Sequence, residues 1–153
     1  MGLIRTVRAE GAREILRAFE RLPGEAQEIV RRRSYLLAQK LAVIVAAAGR
    51  ADSRQSAVAA GSVQAEPGRV PMITAGKGGS QKARDLLFGS EFGATRRFGW
   101  YARARFFDSP GRQFRPHRGA ASYWFFDAVD RNQDETTRAY SEMADEIIET
   151  WAG

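Results

Sequence analysis

The feature that most constrains this chain is the stretch Glu25–Arg50. Ile29, Val30, Leu37, Leu41, Ile44 and Val45 recur there at helical spacing, with no proline and with no glycine before Gly49. It is the strongest helical signal in the sequence, and the other elements are read as arranged around it. Glu25 and Glu28 at its start and Arg50 at its end favour the helix dipole, and Gly49 is read as its stop. The triplet Arg31, Arg32, Arg33 fans over most of a helix circumference, which predicts a solvated flank and not one compact patch.

Before this helix, Leu3–Ala9 alternates in part between apolar and basic residues and predicts a short strand. Ile15, Leu16, Phe19 and Leu22 then mark one face of a short amphipathic helix that Pro23 and Gly24 stop. After the central helix, residues 51–61 predict a loop with one short helical turn. Ser62–Glu66 and Arg69–Ala75, joined at Pro67-Gly68, predict a β-hairpin, whose second strand is an edge or begins after Pro71. The run Gly76–Lys82, GKGGSQK, lacks the spacing of a phosphate-binding loop and is read as a flexible connector. Asp85–Phe92 fits a last strand or a helical turn. Ala120–Trp151 predicts one long closing helix, its apolar stripe running through Phe125, Val129, Thr136, Tyr140, Met143, Ala144, Ile147, Ile148 and Trp151. The expected fold is therefore α+β: a small antiparallel sheet against a long central helix and a long C-terminal helix, in a single domain over residues 1–153.

Between Gly89 and Phe126 the chain gathers most of its aromatic residues. Arg96 to Arg118 holds seven arginines against the single acid Asp108, a local balance of +6 that equals the net charge of the whole chain. The closing stretch Asp127–Glu149 carries eight acids and two arginines, a balance of −6. Glycines and prolines with no sustained helical period predict an extended loop at about 94–119, and long ordered loops often carry function. Opposite patches on one molecule fit head-to-tail association, with the basic loop of one copy on the acidic helix of the next. The candidate interface residues are Arg96, Arg97, Trp100, Arg103, Arg105 and Arg112 on the loop, with Arg115 at its end. Tyr123 and Trp124, at the helix start, and Glu142 and Glu146, on the acidic face, complete the set.

Four consecutive large aromatics, Tyr123 to Phe126, cannot all face one core. Some must meet another surface, either the chain's own arginines stacked over their faces or a neighbouring subunit. Arginines interleaved with aromatics also suit single-stranded nucleic acid, and a basic nucleic-acid-binding module is the alternative reading. The acidic last helix and the absence of a recognised binding module weigh against it.

Catalysis finds little support in the residue inventory. There is no cysteine, and His117 is the only histidine, read as a surface hydrogen-bonder. The acids Glu142, Asp145, Glu146 and Glu149 read as a solvated helix face. No catalytic residue, cofactor or metal is expected. The 21 arginines against 3 lysines reflect base composition of the genome as readily as function. Leu41–Ala48 is too short to cross a bilayer, and the first residues lack the apolar run of a signal peptide, so the expectation is an intracellular or assembly-bound protein with no membrane partner.

The order of these features resembles the tail-completion or tail-terminator proteins of long-tailed bacteriophages, within the broad group of head-to-tail joining and minor tail proteins. The likeness lies in Ala60-Gly61-Ser62-Val63 entering the hairpin and in Glu91-Phe92-Gly93. It continues through Gln113-Phe114-Arg115-Pro116-His117 and the aromatic helix start Tyr123-Trp124-Phe125-Phe126. Where the family often has a Thr-Gly and a leucine before the hairpin, this chain has Ser56-Ala57-Val58, and its basic loop is longer. The resemblance implies a non-enzymatic virion protein at the head-tail junction, forming a homo-oligomeric, hexameric ring. Its implied partners are the tail tube protein and a head-closure or connector protein, with DNA passing through the lumen. Minor tail or head-closure membership is the alternative within the same group.

Overall fold

The computed structural model describes residues 17–18, 20–94, 114–118 and 121–151. The expected first strand at Leu3–Ala9 lies outside them, as does most of the first helix, of which Arg17, Ala18 and Glu20 are helical. The fold is α+β: besides those residues, five α-helices, one 3₁₀ turn and one two-stranded antiparallel sheet make up the described elements.

The central helix, α1, spans Gly24–Asp52. Pro23 at its N-cap has φ −54°, already close to helical, and Glu25 and Arg50 complement the dipole at the two ends. Its buried face is built from small residues: Ala26, Val30, Ser34, Ala42, Val45, Ala46 and Gly49. Gly49 does not stop the helix. A Cβ there would come within 2.8 Å of both the Trp124 ring and the Ala60 side chain, so the glycine makes room for a tryptophan.

What ends α1 is Ser53. It turns extended and opens α2 (Arg54–Ala59) through a reciprocal box, its Oγ accepting from the Ser56 amide at 3.1 Å while Ser56 Oγ accepts from the Ser53 amide at 2.7 Å. A 3₁₀ turn at Ala60–Ser62 leads into β1 (Gln64–Glu66), paired antiparallel with β2 (Met72–Thr74) in the register Gln64↔Thr74, Ala65↔Ile73, Glu66↔Met72. Strand β2 begins directly after Pro71, which has no amide to give. The segment Gly76–Ser80 is a fitted turn: Gly76 and Gly79 have φ of +87° and +77°, and the Gly76 amide donates to Ser62 Oγ at 3.1 Å.

Helix α3 (Gln81–Phe92) replaces the expected strand or single turn. Ser80 Oγ caps it by accepting from the Ala83 amide at 3.1 Å. The closing helix is two: α4 (Phe125–Arg131) and α5 (Gln133–Trp151). Asn132 separates them, its side-chain amide donating to the Ala128 carbonyl at 2.8 Å in competition with the backbone ladder.

Sheet, α4 and α5 all pack along α1. Trp124 meets Gly49, Lys40 pairs with Glu135 at 2.9 Å, and Arg33 pairs with Glu146, so α4 and α5 run antiparallel to α1. The core divides accordingly. Val45, Ala46, Ala59, Ala60, Leu87, Trp124 and Ala128 form one cluster around the C-terminal half of α1, and Val30, Met143 and Ile147 form a smaller one at its other end, flanked by Leu22 and Tyr140.

Candidate functional site

The two described feet of the Arg/aromatic segment, Ala94 on one side and Phe114–Arg118 on the other, meet at one place. Helix α3 ends at Gly93, whose φ of +72° turns the chain sharply, and a Cβ there would collide with the Arg115 and Pro116 backbone. Ala94 then bridges Pro116 in parallel: its amide donates to the Arg115 carbonyl at 2.9 Å, and the His117 amide donates to the Ala94 carbonyl at 3.2 Å.

Glu91 is the centre of this joint. It is 3% exposed, and a buried carboxylate is costly unless its oxygens are paired. Here Oε2 accepts from the Trp124 and Phe125 amides at 3.1 and 2.7 Å, while Oε1 accepts from the Phe126 amide at 3.1 Å and from Ser122 Oγ. Those amides are the unpaired donors at the start of α4, so a side chain of α3 caps a helix that begins 34 residues later. The positive end of the α4 dipole adds to the fit. The Glu91 carbonyl also accepts from the Tyr123 amide at 2.9 Å, and Ser122 Oγ accepts from the Asp127 amide at 3.0 Å.

A second tie runs from Arg115. Its guanidinium grips Asp52 at the end of α1 in a bidentate pair, with Nη1 to Oδ1 at 2.8 Å, and Nη2 also donates to the Ser90 carbonyl at 3.3 Å. The same guanidinium lies 3.7 Å from the Tyr123 ring centroid, and that of Arg118 lies 4.1 Å from it. Tyr123 Oη donates to the Pro116 carbonyl at 2.7 Å. His117 is a hydrogen-bonder at the same joint: its Nδ1 sits 2.8 Å from the Phe92 carbonyl and, facing an acceptor, carries the proton.

The aromatic quartet is thereby sorted. Tyr123 meets the chain's own arginines. Trp124 is 1% exposed, with Nε1 donating to Ser90 Oγ at 3.2 Å. Phe125 and Phe126 are half-buried in a run of ring contacts that continues to Phe92 and Phe88, with centroid spacings of 5.2 to 6.4 Å.

Two expected interface residues make contacts within the chain. Trp124 is core, because Gly49 leaves it a slot, and Arg115 is an internal clamp on Asp52. Tyr123 is half-buried between Arg115 and Arg118. Glu142 is exposed as expected, while Glu146 pairs with Arg33 of α1. Arg96, Arg97, Trp100, Arg103, Arg105 and Arg112 lie outside the described residues. Residues that the sequence did not single out are Asp52, Ser90 and Ser122. Only Ser122 left a signal, a serine just ahead of a helix start.

Chemically, the joint is occupied. The Glu91 oxygens are committed to four donors and the Arg115 fork to Asp52, an arrangement that holds backbone in place. Among the described residues no buried side-chain polar atom lacks a partner, and no group of three or more His, Asp or Glu side chains is placed to hold a metal. No described helix is long and apolar enough to cross a membrane. No family model, no curated protein and no solved structure matches this chain.

Proposed function

We propose that this chain is a structural bacteriophage protein, a tail-terminator or tail-completion subunit. It would form a hexameric ring that caps the tail tube and joins it to the head-closure or connector protein. The observation that carries the reading is the joint around Glu91 and Arg115. It fastens both feet of an arginine-rich, aromatic segment to the C-terminal end of α1, the longest described helix, and to the junction of α3 with α4. A segment presented from a fixed base suits a contact that must be made in one geometry, as between ring subunits. The order of motifs set out above supports the same assignment, and the opposed charges of loop and C-terminal helix suit repeated head-to-tail contacts. In such a ring DNA passes through the lumen without sequence-specific contact.

Immunogold electron microscopy of phage particles from cells that make the chain, with antibody against α5, tests the proposal. Label confined to the head-tail junction is the expected result. Label along the tail or at its far end makes the chain a minor tail component instead. Absence of label from particles, together with DNA affinity that falls steeply with salt, overturns the virion reading in favour of a nucleic-acid-binding module.

A further inference from the structure

Beyond Asp134 in its first turn, the acids of α5 fall into two groups. Glu135 and Glu146 are engaged by Lys40 and Arg33 of α1. Glu142, Asp145 and Glu149 are exposed and make no ion pair with another described residue. These three recur at spacings of three and four and so form one line along the helix. Directly beside that line runs a second with the same period: Ala144, Ile148 and Trp151, with Ile148 60% and Trp151 36% exposed. The outer face of α5 thus offers an apolar strip bordered on one side by exposed carboxylates that no described residue pairs.

We infer that this strip is the docking surface for a second copy of the chain, which contributes its Arg96–Arg112 segment. The inference rests on the ring proposed above and names the surface at which neighbouring subunits meet. Charge and shape both call for an occupant that carries guanidinium groups among large apolar side chains. Guanidinium forks suit the carboxylate line, and aromatic rings suit the strip. The chain supplies that combination in Arg97-Phe98, Trp100-Tyr101, Arg103, and Arg105-Phe106, with Asp108 as the segment's single acid.

Distance argues for a second copy over the same one. The feet of the segment are tied near Asp52, and Glu146 lies beside Arg33, 19 residues back along α1 and so about 28 Å away. Residues 95–113, tied at both ends, bring no more than their tip about 32 Å from the base with both limbs fully stretched, so the same copy cannot lay the segment along the strip. A neighbouring subunit meets no such limit.

The test uses the full chain with Ile148 replaced by the photo-cross-linking residue p-benzoylphenylalanine, irradiated at high protein concentration. The expected product is a dimer-sized adduct whose linked peptides map to residues 96–112. Its yield falls about tenfold or more in Asp145→Arg/Glu149→Arg and in Arg103→Glu/Arg105→Glu. It also falls at about 1 M salt, where the Debye length is about 3 Å. Circular dichroism of each variant serves as the folding control. Adducts within one chain, adducts to other segments, or no dimer adduct from a folded protein overturn the inference. Label at the head-tail junction with no such adduct sinks this surface alone. The adduct, found in a chain whose label lies elsewhere, sinks the ring and leaves the contact standing.

Discussion

The two ends of α1 are finished in different ways. At its C-terminal end, Glu91, Arg115, Asp52, Ser90 and Trp124 lock α3, α4 and the segment's feet together with buried or half-buried polar groups. At its N-terminal end a small apolar cluster of Val30, Met143 and Ile147 is bordered by the exposed pair Arg33 and Glu146, while Ile148 and Trp151 face outward. One end spends its polar groups internally, and the other leaves carboxylates and apolar surface open. The difference separates a saturated joint from an open surface: one end sets where the basic segment starts, and the other leaves carboxylates and apolar side chains exposed.

The comparison is broken most directly at Glu91. Glu91→Gln places an amide donor against the α4 amides, and a loss of about 3 kcal/mol or more in urea unfolding is expected, within the range for breaking a buried charged network. An effect below about 1 kcal/mol, the size of a surface pair, would show that the joint holds nothing. At the other end of α1, Met143→Ala should cost about 2 kcal/mol, at the lower edge for core truncation because the cluster is small and borders the surface.

Arg115→Lys sharpens the comparison by keeping the charge and removing the fork. A loss of about 1 kcal/mol is expected, since the pair with Asp52 is partly exposed, and limited proteolysis should quicken within residues 95–113 while α5 stays intact. Smaller still is Glu146→Ala. Its pair with Arg33 is solvent-exposed on both sides, so a change under about 0.5 kcal/mol is expected in the same unfolding assay.

Most of the scaffold was legible in the sequence and most of the joint was not. Helix α1 announces itself through its period, and Pro71 narrows the second strand to an edge or a start after it, the strand beginning at Met72. Helix α3 is hidden because its buried face is Ala83, Leu87, Gly89, Ser90 and Glu91, which offers almost no hydrophobic signal. Nothing in the sequence pattern marks Glu91 as a cap until the α4 amides are brought to it, and Asp52 and Arg115 are 63 residues apart. Trp124 reads as an exposed aromatic because the space that receives it is the absence of a side chain at Gly49, 75 positions earlier. The break at Asn132 depends on one side chain competing for the Ala128 carbonyl, which periodicity does not register.

The hairpin gives the mildest prediction. Lys77 donating to Glu66 at 2.8 Å, then Thr74 at 2.9 Å, hold the Glu66 carboxyl below its ordinary value. A lowered folded value means that the contribution is present above the unfolded value and fades as pH falls through the lowered one. An NMR titration should show Glu66 ionising below a free glutamate and returning toward it in Lys77→Ala, with little change in global stability.

The central claim is that Glu91 caps α4 from a distance and thereby fixes the base of the basic segment. Hydrogen exchange tests it most directly. In the native chain the amides of Trp124, Phe125 and Phe126 should be strongly protected, and in Glu91→Ala that protection should collapse while the amides of Met143 and Ile147 keep theirs. Equal protection of the 124–126 amides in the two proteins would contradict the account.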